Sequence, residues 1–532
     1  MKKDSMTFFV RIVAGRADSP NPPRTPRGGV PARSGYPLNK TALVGPLSAW
    51  AALAGLLSGC AVGPDFKPSR EPAPQTYLRG DPFCETVSSE GAGGAAQRLM
   101  RGSDIPARWW SLFRSEPLDR LVQQALEQSP TLAQARARLT QAQEALNARA
   151  GVTKYPSVDA GLSAKRQEVD LASMGISGVK NPPPFALYNV SVSVAYTFDV
   201  FGKNRRTLEA LAAKVDYQSF ELEAARQTLA ANVVSAVIRQ AALNARIGCV
   251  SNLLAVQERQ LAIMETQFRA GGRSSLDLEN QKLLLAQTRA SLPPLENQAA
   301  RIGHQLAVYL GRPPAEADIA AFDLSGLHLP AELPLSLPSA LARQRPDIRA
   351  AEALWHQACA RVGVAAADLY PQVTLSGNLG AQDTHAADML NSLNVWSLGA
   401  NLMQPVFRGG ELKAKKREAA AAYDEAAAAY KQAVLQGFQE VADALHALES
   451  DARALRERTD ALRHARAGYD IAQSQFKNGA ISHLVLLDAQ RQLLQADLDR
   501  IQAQADRYAD SAALLHALGG DWRTEKREPG AP

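Results

Sequence analysis

Asn189-Val190-Ser191-Val192-Ser193-Val194-Ala195-Tyr196-Thr197-Phe198 carries no charge and alternates apolar with small or polar side chains. Successive residues of a β-strand point to opposite faces, so the pattern predicts a strand with one apolar and one polar face. Related segments flank it. Tyr155-Pro156-Ser157-Val158 opens an earlier one, and Tyr370-Pro371-Gln372-Val373 opens a later one in which Val373, Leu375 and Leu379 alternate with Thr374, Ser376 and Asn378. Trp396, Leu398, Ala400 and Leu402 form one face of a fourth. A half-buried soluble sheet would need a covering layer, but the remaining ordered sequence reads as helices that pack on one another. An apolar-out, polar-in strand of about ten residues is instead the pattern of a transmembrane barrel. Four strands cannot close one, and an open edge in lipid leaves backbone groups unsatisfied. The barrel must be shared between copies. Two copies would give eight strands with a filled interior and three would give twelve with a lumen, and the alternation does not choose between them.

Phe201-Gly202-Lys203 closes the second segment and Phe407-Arg408-Gly409-Gly410 the fourth, and a long helical pattern follows each. The helices expected from Lys203 to Ala270 and from Glu411 to Lys477 would each be roughly 100 Å long at ~1.5 Å per residue. The second spaces Val434, Phe438, Val441, Leu445, Leu448, Ala452, Leu455, Thr459, Leu462, Arg466, Tyr469, Gln473 and Phe476 by fours and threes, a heptad seam. Leu243, Ile247, Val250, Leu254, Leu261, Met264 and Phe268 make a similar seam in the first. Related turns end both helices, Gln267-Phe268-Arg269-Ala270-Gly271 and Gln475-Phe476-Lys477-Asn478-Gly479, and returning helices finish at Tyr309-Leu310-Gly311 and Ala517-Leu518-Gly519. The fold class is therefore α+β and internally duplicated, each half a strand pair plus a helical hairpin. The expected divisions are a leader at 1–59, an extended tether rich in Pro, Gly and Ser at 60–108, a first repeat at 109–335, a second at 336–522 and a disordered tail at 523–532.

The formal charge of +6 invites a nucleic-acid reading until it is located. Residues 1–60 hold eight of the 59 basic and two of the 53 acidic residues, leaving 51 of each in the rest. The remainder has no electrostatic footprint for nucleic acid. Within the basic leader, Thr41 to Gly59 is uncharged and rich in Ala and Leu, the signature of a signal peptide. Nothing in residues 5 to 30 resembles a signal segment, so translation is expected to start near Val30. The segment ends in Leu57-Ser58-Gly59-Cys60, similar to a bacterial lipobox, which makes Cys60 the expected lipid attachment point. Ala61 follows where lipoproteins kept at the inner membrane typically have Asp, which favours delivery to the outer membrane. Cys84, Cys249 and Cys359 show no metal spacing or paired motif, and the eight histidines are scattered.

Residues from Cys60 to about Trp522 resemble the outer-membrane efflux protein family, which is TolC-like, and within it the NodT-type lipoproteins of resistance-nodulation-division (RND) pumps. The resemblance rests on Gly63-Pro64-Asp65-Phe66-Lys67, Trp109-Trp110 with Phe113, Arg345-Pro346-Asp347-Ile348-Arg349, Gln404-Pro405-Val406-Phe407 and Leu487-Asp488-Ala489-Gln490, in this order on the repeat. It implies a homotrimer with a twelve-stranded barrel in the outer membrane and a twelve-helix periplasmic tunnel. The implied partners are a periplasmic adaptor, an inner-membrane RND pump and outer-membrane lipid. It implies no cofactor beyond the covalent lipid on Cys60. For Arg345 to Arg349 the expected role is structural, with Pro346 in a helix first turn and Asp347 at the positive end of the dipole.

A duct needs no catalytic groups, and the sequence holds no coherent Ser-His-Asp set, phosphate loop or helical metal-ligand pair. By resemblance, Leu484 and Asp488 narrow the periplasmic entrance, four apart on one helix face. On pattern alone Leu484 reads as a hairpin-core residue and Asp488 as a solvated or capping carboxylate. Asp277 and Phe476 fall at hairpin-tip contact positions of the family. Phe476 stands where a tyrosine can stand and Ile481 where an arginine can, so a Tyr-Arg-Asp latch is not assumed. The leading expectation is a passive exit duct for small molecules. The alternatives are a type I protein-secretion duct and a non-channel periplasmic adaptor or spacer, which would have no use for four charge-poor strands.

Overall fold

In chain order the elements are β1 (Arg98–Arg101), α1 (Glu116–Gln128), α2 (Pro130–Lys154), β2 (Ser157–Gln167), β3 (Phe185–Phe198), α3 (Lys203–Arg269), α4 (Ser275–Tyr309), β4 (Glu332–Leu335), α5 (Pro338–Gln344), α6 (Pro346–Ala367), β5 (Gln372–Asp383), β6 (Val395–Met403), α7 (Glu411–Lys477) and α8 (His483–Ala517). They come from a computed structural model that describes residues 61–68, 74, 76–80, 83–103, 105–388 and 395–520. The expected leader, Cys60, Trp522 and the tail at 523–532 lie outside the described residues.

The duplication is kept in helix length. Both α3 and α7 have 67 residues, and both α4 and α8 have 35. Their ends are chemically fixed. Gly202 and Gly410 adopt positive φ at the starts of α3 and α7, a conformation that side chains with a Cβ resist. The Asp199 carboxylate accepts from the amides of Asn204 and Arg205 at 2.9 and 2.8 Å, satisfying orphan donors at the positive end of α3. At the far ends Gly271 and Gly479 turn left-handed, and paired bonds close both helices in the same way. Gly271 N–H donates to Phe268 O and Gly272 N–H to Gln267 O, while Gly479 and Ala480 do the same to Phe476 and Gln475.

The heptad seam of α7 is buried from Val441 through Leu445, Leu448, Ala452 and Leu455 and half-buried beyond, except that Arg466 is exposed. In the first hairpin Leu243, Val250 and Leu254 of α3 pack with Leu285 and Leu295 of α4. A larger core gathers where both halves meet. There Trp109, Phe113, Leu118 and Val122 pack with Val233, Val234 and Val237 of α3, Leu445 of α7 and Leu514 of α8.

Two features differ from the sequence expectation. Helices not expected from the sequence precede each strand pair, α1 and α2 in the first half and α5 in the second, ahead of the helix expected to start at Pro346. The segment expected to be an extended tether is a strap laid on the body. Its β1 pairs in parallel with β4, and the buried Arg507 of α8 donates to Gly93 O, Ala95 O and Thr86 Oγ1 at 2.9, 2.7 and 3.0 Å. Peptide carbonyls of a polar-looking segment are what a buried guanidinium needs, so low hydrophobicity did not make the segment free.

Arg345 ties the halves together. Its guanidinium pairs with Asp347 through two bonds of 3.0 and 2.7 Å, with Glu440 of α7 at 2.7 Å, and donates to Ala517 O of α8 at 2.8 Å. Pro346 begins α6 and Asp347 lies in its first turn, the structural start expected of the motif. Arg345→Ala should leave Asp347 without its ion partner and the Ala517 carbonyl without its donor, and cost about 1–3 kcal/mol, seen as a lower thermal unfolding midpoint. Arg345→Lys should not restore it, because a lysine cannot reproduce the planar fork.

Candidate functional site

The strands β2, β3, β5 and β6 form one antiparallel sheet in that order. Their register aligns the faces across all four. Val158 lies opposite Val194, Val192 opposite Leu379, and Leu379 opposite Trp396. Ser193 lies opposite Asp159 on one side and Asn378 on the other, and Asn378 opposite Ser397. Alternation within strands thus becomes one continuous apolar face and one mostly polar face. The apolar face is bare: Leu162, Trp396 and Leu398 are 72%, 75% and 73% exposed. An apolar patch of this kind on a protein surface marks contact with another apolar phase.

At the foot of the sheet, where β3 passes into α3, the start of the strap is held tightly. Val62 N–H donates to Phe201 O at 3.2 Å. Gly63 adopts a φ of +105° and a Cβ there would stand 2.5 Å from Gly363 Cα of α6, so only glycine fits. Asp65 pairs with the buried Arg206 at 2.7 Å, Arg206 with Glu209 at 2.8 Å, and Glu209 with His356 at 2.9 Å. The Phe66 ring stacks on His356 with centroids 4.5 Å apart and meets Trp355 edge-on. Burial acts to raise the Glu209 pKa, and hydrogen bonds from Arg206 and His356 outweigh it, holding the carboxyl below its usual range. Every residue from Gly63 to Phe66 thereby has a contact, although sequence reasoning gave the motif no physical role. Arg206, 141 residues from Asp65, left no local signal.

At the opposite end of the helices lie the predicted entrance residues. Leu484 and Asp488 lie on one face of α8, in a groove shared with Leu283 and Leu284 of α4. Leu484 is 65% exposed, so it is not a hairpin-core residue within this chain. Asp488 does not cap the helix. It pairs with Arg491 one turn on, and its Oδ2 accepts from Gln492 Nε2 at 2.6 Å.

The tip contacts at Asp277 and Phe476 involve two residues that sequence reasoning missed. The Arg273 guanidinium lies over the Phe476 ring at 4.5 Å, and His483 meets the same ring at 5.2 Å. The first turn, through Arg273, thus touches the end of α7. Asp277 starts α4 beneath the Ser274 cap, whose hydroxyl accepts from its amide at 3.1 Å, and its carboxylate acts electrostatically on His483. His483 is buried at the start of α8 against Phe476 of its own hairpin, and as a lone histidine it gave no signal.

The family description "Outer membrane efflux protein" matches residues 121–312 and 337–520. The pyoverdine export outer membrane protein OpmQ of Pseudomonas aeruginosa is 31% identical over 427 residues, covering 80% of this chain and 89% of that protein. Nodulation protein T of Rhizobium leguminosarum is 28% identical over 479 residues, covering 88% and 92%. Among solved structures, the outer-membrane channel OprN superposes with a TM-score of 0.76 at 30% identity, covering 87% of this chain and 100% of that one.

His483 should make the tip sensitive to acid. It is 5% exposed with Nδ1 unbonded. Burial lowers its pKa, Asp277 raises it and Arg273 lowers it again, for a net value below the ordinary one. A base whose pKa is depressed in the packed state contributes full stability above its unfolded value of about 6.5 and loses it as pH falls from there toward the packed-state value. Hydrogen exchange at the two turns should therefore accelerate, beyond its intrinsic pH dependence, as pH drops below about 6.5. In His483→Phe the extra acceleration should vanish.

Proposed function

The chain belongs to the outer membrane efflux protein family, and from that premise we propose how it works. The protein is an outer-membrane efflux channel with a long periplasmic helical domain. Three copies join their four-stranded sheets into a twelve-stranded barrel whose apolar face meets lipid and whose polar face lines a water-filled lumen. The helical hairpins, roughly 100 Å long, continue that lumen across the periplasm as a twelve-helix tunnel. The observation that carries the reading is the bare sheet, apolar on one face of all four strands, at the end of helices far longer than a globular core needs. A periplasmic spacer would leave that face in water.

The duct itself supplies no energy. An inner-membrane RND pump, reached through a periplasmic adaptor at the hairpin tips, drives transport, and the channel selects by size and charge. The relative OpmQ is named for pyoverdine export, which favours small molecules over secreted proteins as cargo. Cys60 carries the lipid. Support comes from the strap: Ala61 lies beside Gly202 at the strand–helix junction, where acyl chains on the preceding residue would enter the inner leaflet at the foot of the barrel. Mass spectrometry of the mature N-terminal peptide should find an acylated Cys60, and Cys60→Ser should abolish the added mass.

Leu484 and Asp488, repeated three times, narrow the periplasmic entrance. The exposed Leu484 side chains supply the constriction and Asp488 a ring of negative charge. Arg491 beside Asp488 moderates that charge, because the pair is exposed and weakly coupled, at about 0–1 kcal/mol. In planar-bilayer recordings Leu484→Ala should raise the resting conductance. Asp488→Asn should reduce preference for cations and Arg491→Gln should increase it. Unchanged conductance and ion preference in all three would remove these residues from the gate.

A further inference from the structure

The Tyr-Pro pairs that open β2 and β5, at Tyr155 and Tyr370, stand 215 residues apart, and the positive-φ glycines that start α3 and α7, Gly202 and Gly410, stand 208 apart. These offsets come from different parts of the chain, and the strand hairpins test whether they describe one repeat. Ser157 faces Ala195 in the first hairpin. Carried forward by 215 and 208 residues, that pair becomes Gln372 facing Met403, which is the pair observed in the second. The two hairpins are equivalent residue by residue.

A closed ring of such hairpins has two kinds of joint. One is the β3–β5 pairing within the chain, in which Ser193 faces Asn378, Val194 faces Gly377 and Ala195 faces Ser376. The other must join the outer edge of β6 to the outer edge of β2 on another copy, since among the described residues these are the two edges of the sheet without a partner strand. Backbone groups left unpaired there would find no water to bond in lipid. The repeat makes the two joints counterparts.

From this we propose that β6 of one copy pairs antiparallel with β2 of the next in one register, with Asn401 opposite Ser163, Leu402 opposite Leu162 and Met403 opposite Gly161. The inference rests on the shared-barrel reading above. The register places the two leucines together on the apolar face and Asn401 with Ser163 on the polar one, as within each chain. A slip of one residue would invert every side chain of β2 relative to its neighbours. A slip of two would keep the faces, so the register itself has to be measured.

Cysteine cross-linking measures it, in the detergent-solubilised full chain with Cys84, Cys249 and Cys359 replaced by Ser. The double variant Ser163→Cys/Asn401→Cys reports the proposed register. Gly161→Cys/Met403→Cys reports it independently should the first fail to fold, and a Cβ at Gly161 meets nothing within 4 Å. Ser163→Cys combined with Gly399→Cys or with Met403→Cys reports slips of two in either direction. On oxidation, both in-register pairs should yield a covalent three-chain species, and the slipped pairs several-fold less. Equal or greater cross-linking of a slipped pair in an assembled trimer overturns the register and leaves the shared barrel standing. A native mass that shows no trimer overturns the shared barrel as well.

Discussion

A peptide group in hydrocarbon has no water to bond, and the architecture of this chain follows from that constraint. The sheet of β2, β3, β5 and β6 is too narrow to close on itself and too apolar on one face to stand in water. On the proposed reading its two outer edges are completed by other copies of the same chain. If that barrel encloses a lumen, as proposed, the helices beneath it must continue a tube. That arrangement favours two hairpins of equal length over one compact bundle. Equality is maintained by glycine-coded starts and stops, at Gly202 and Gly271 in one half and Gly410 and Gly479 in the other.

Sequence alone made the periodic parts legible. Period two in residues 189–198 and the four-three spacing from Val434 to Phe476 each arise from one face meeting one environment, so a local window contains the whole signal. Helix ends were legible for the same reason, since a left-handed glycine marks its own position. The contacts that fix the strap and the tips were not. Arg206 finds Asp65, and Arg507 finds Gly93 and Ala95, across more than a hundred residues of chain. A Pro- and Gly-rich segment looks like a tether until the buried guanidinium that holds its carbonyls is known.

The tips show a similar division. The family resemblance put Phe476 and Asp277 at the tips, and within the chain the groups that meet Phe476 are Arg273 and His483. Neither belongs to a periodic pattern. Asp488 read on pattern alone as a solvated or capping carboxylate, whereas it pairs with Arg491.

The strap also orders events in time. Thr86 and Arg507 are 421 positions apart, and Gln97 reaches Ser511 over 414. Contacts of such separation form late, because nearly all of the intervening chain must be organised before they are rewarded. The middle of the strap, from Thr86 to Gln97, therefore stays loose until α8 has folded, whereas Val62 and Asp65 need only α3 and the strand before it. The strap carbonyls at Gly93 and Ala95 gain their guanidinium partner only then, so a segment made early is among the last to be fixed.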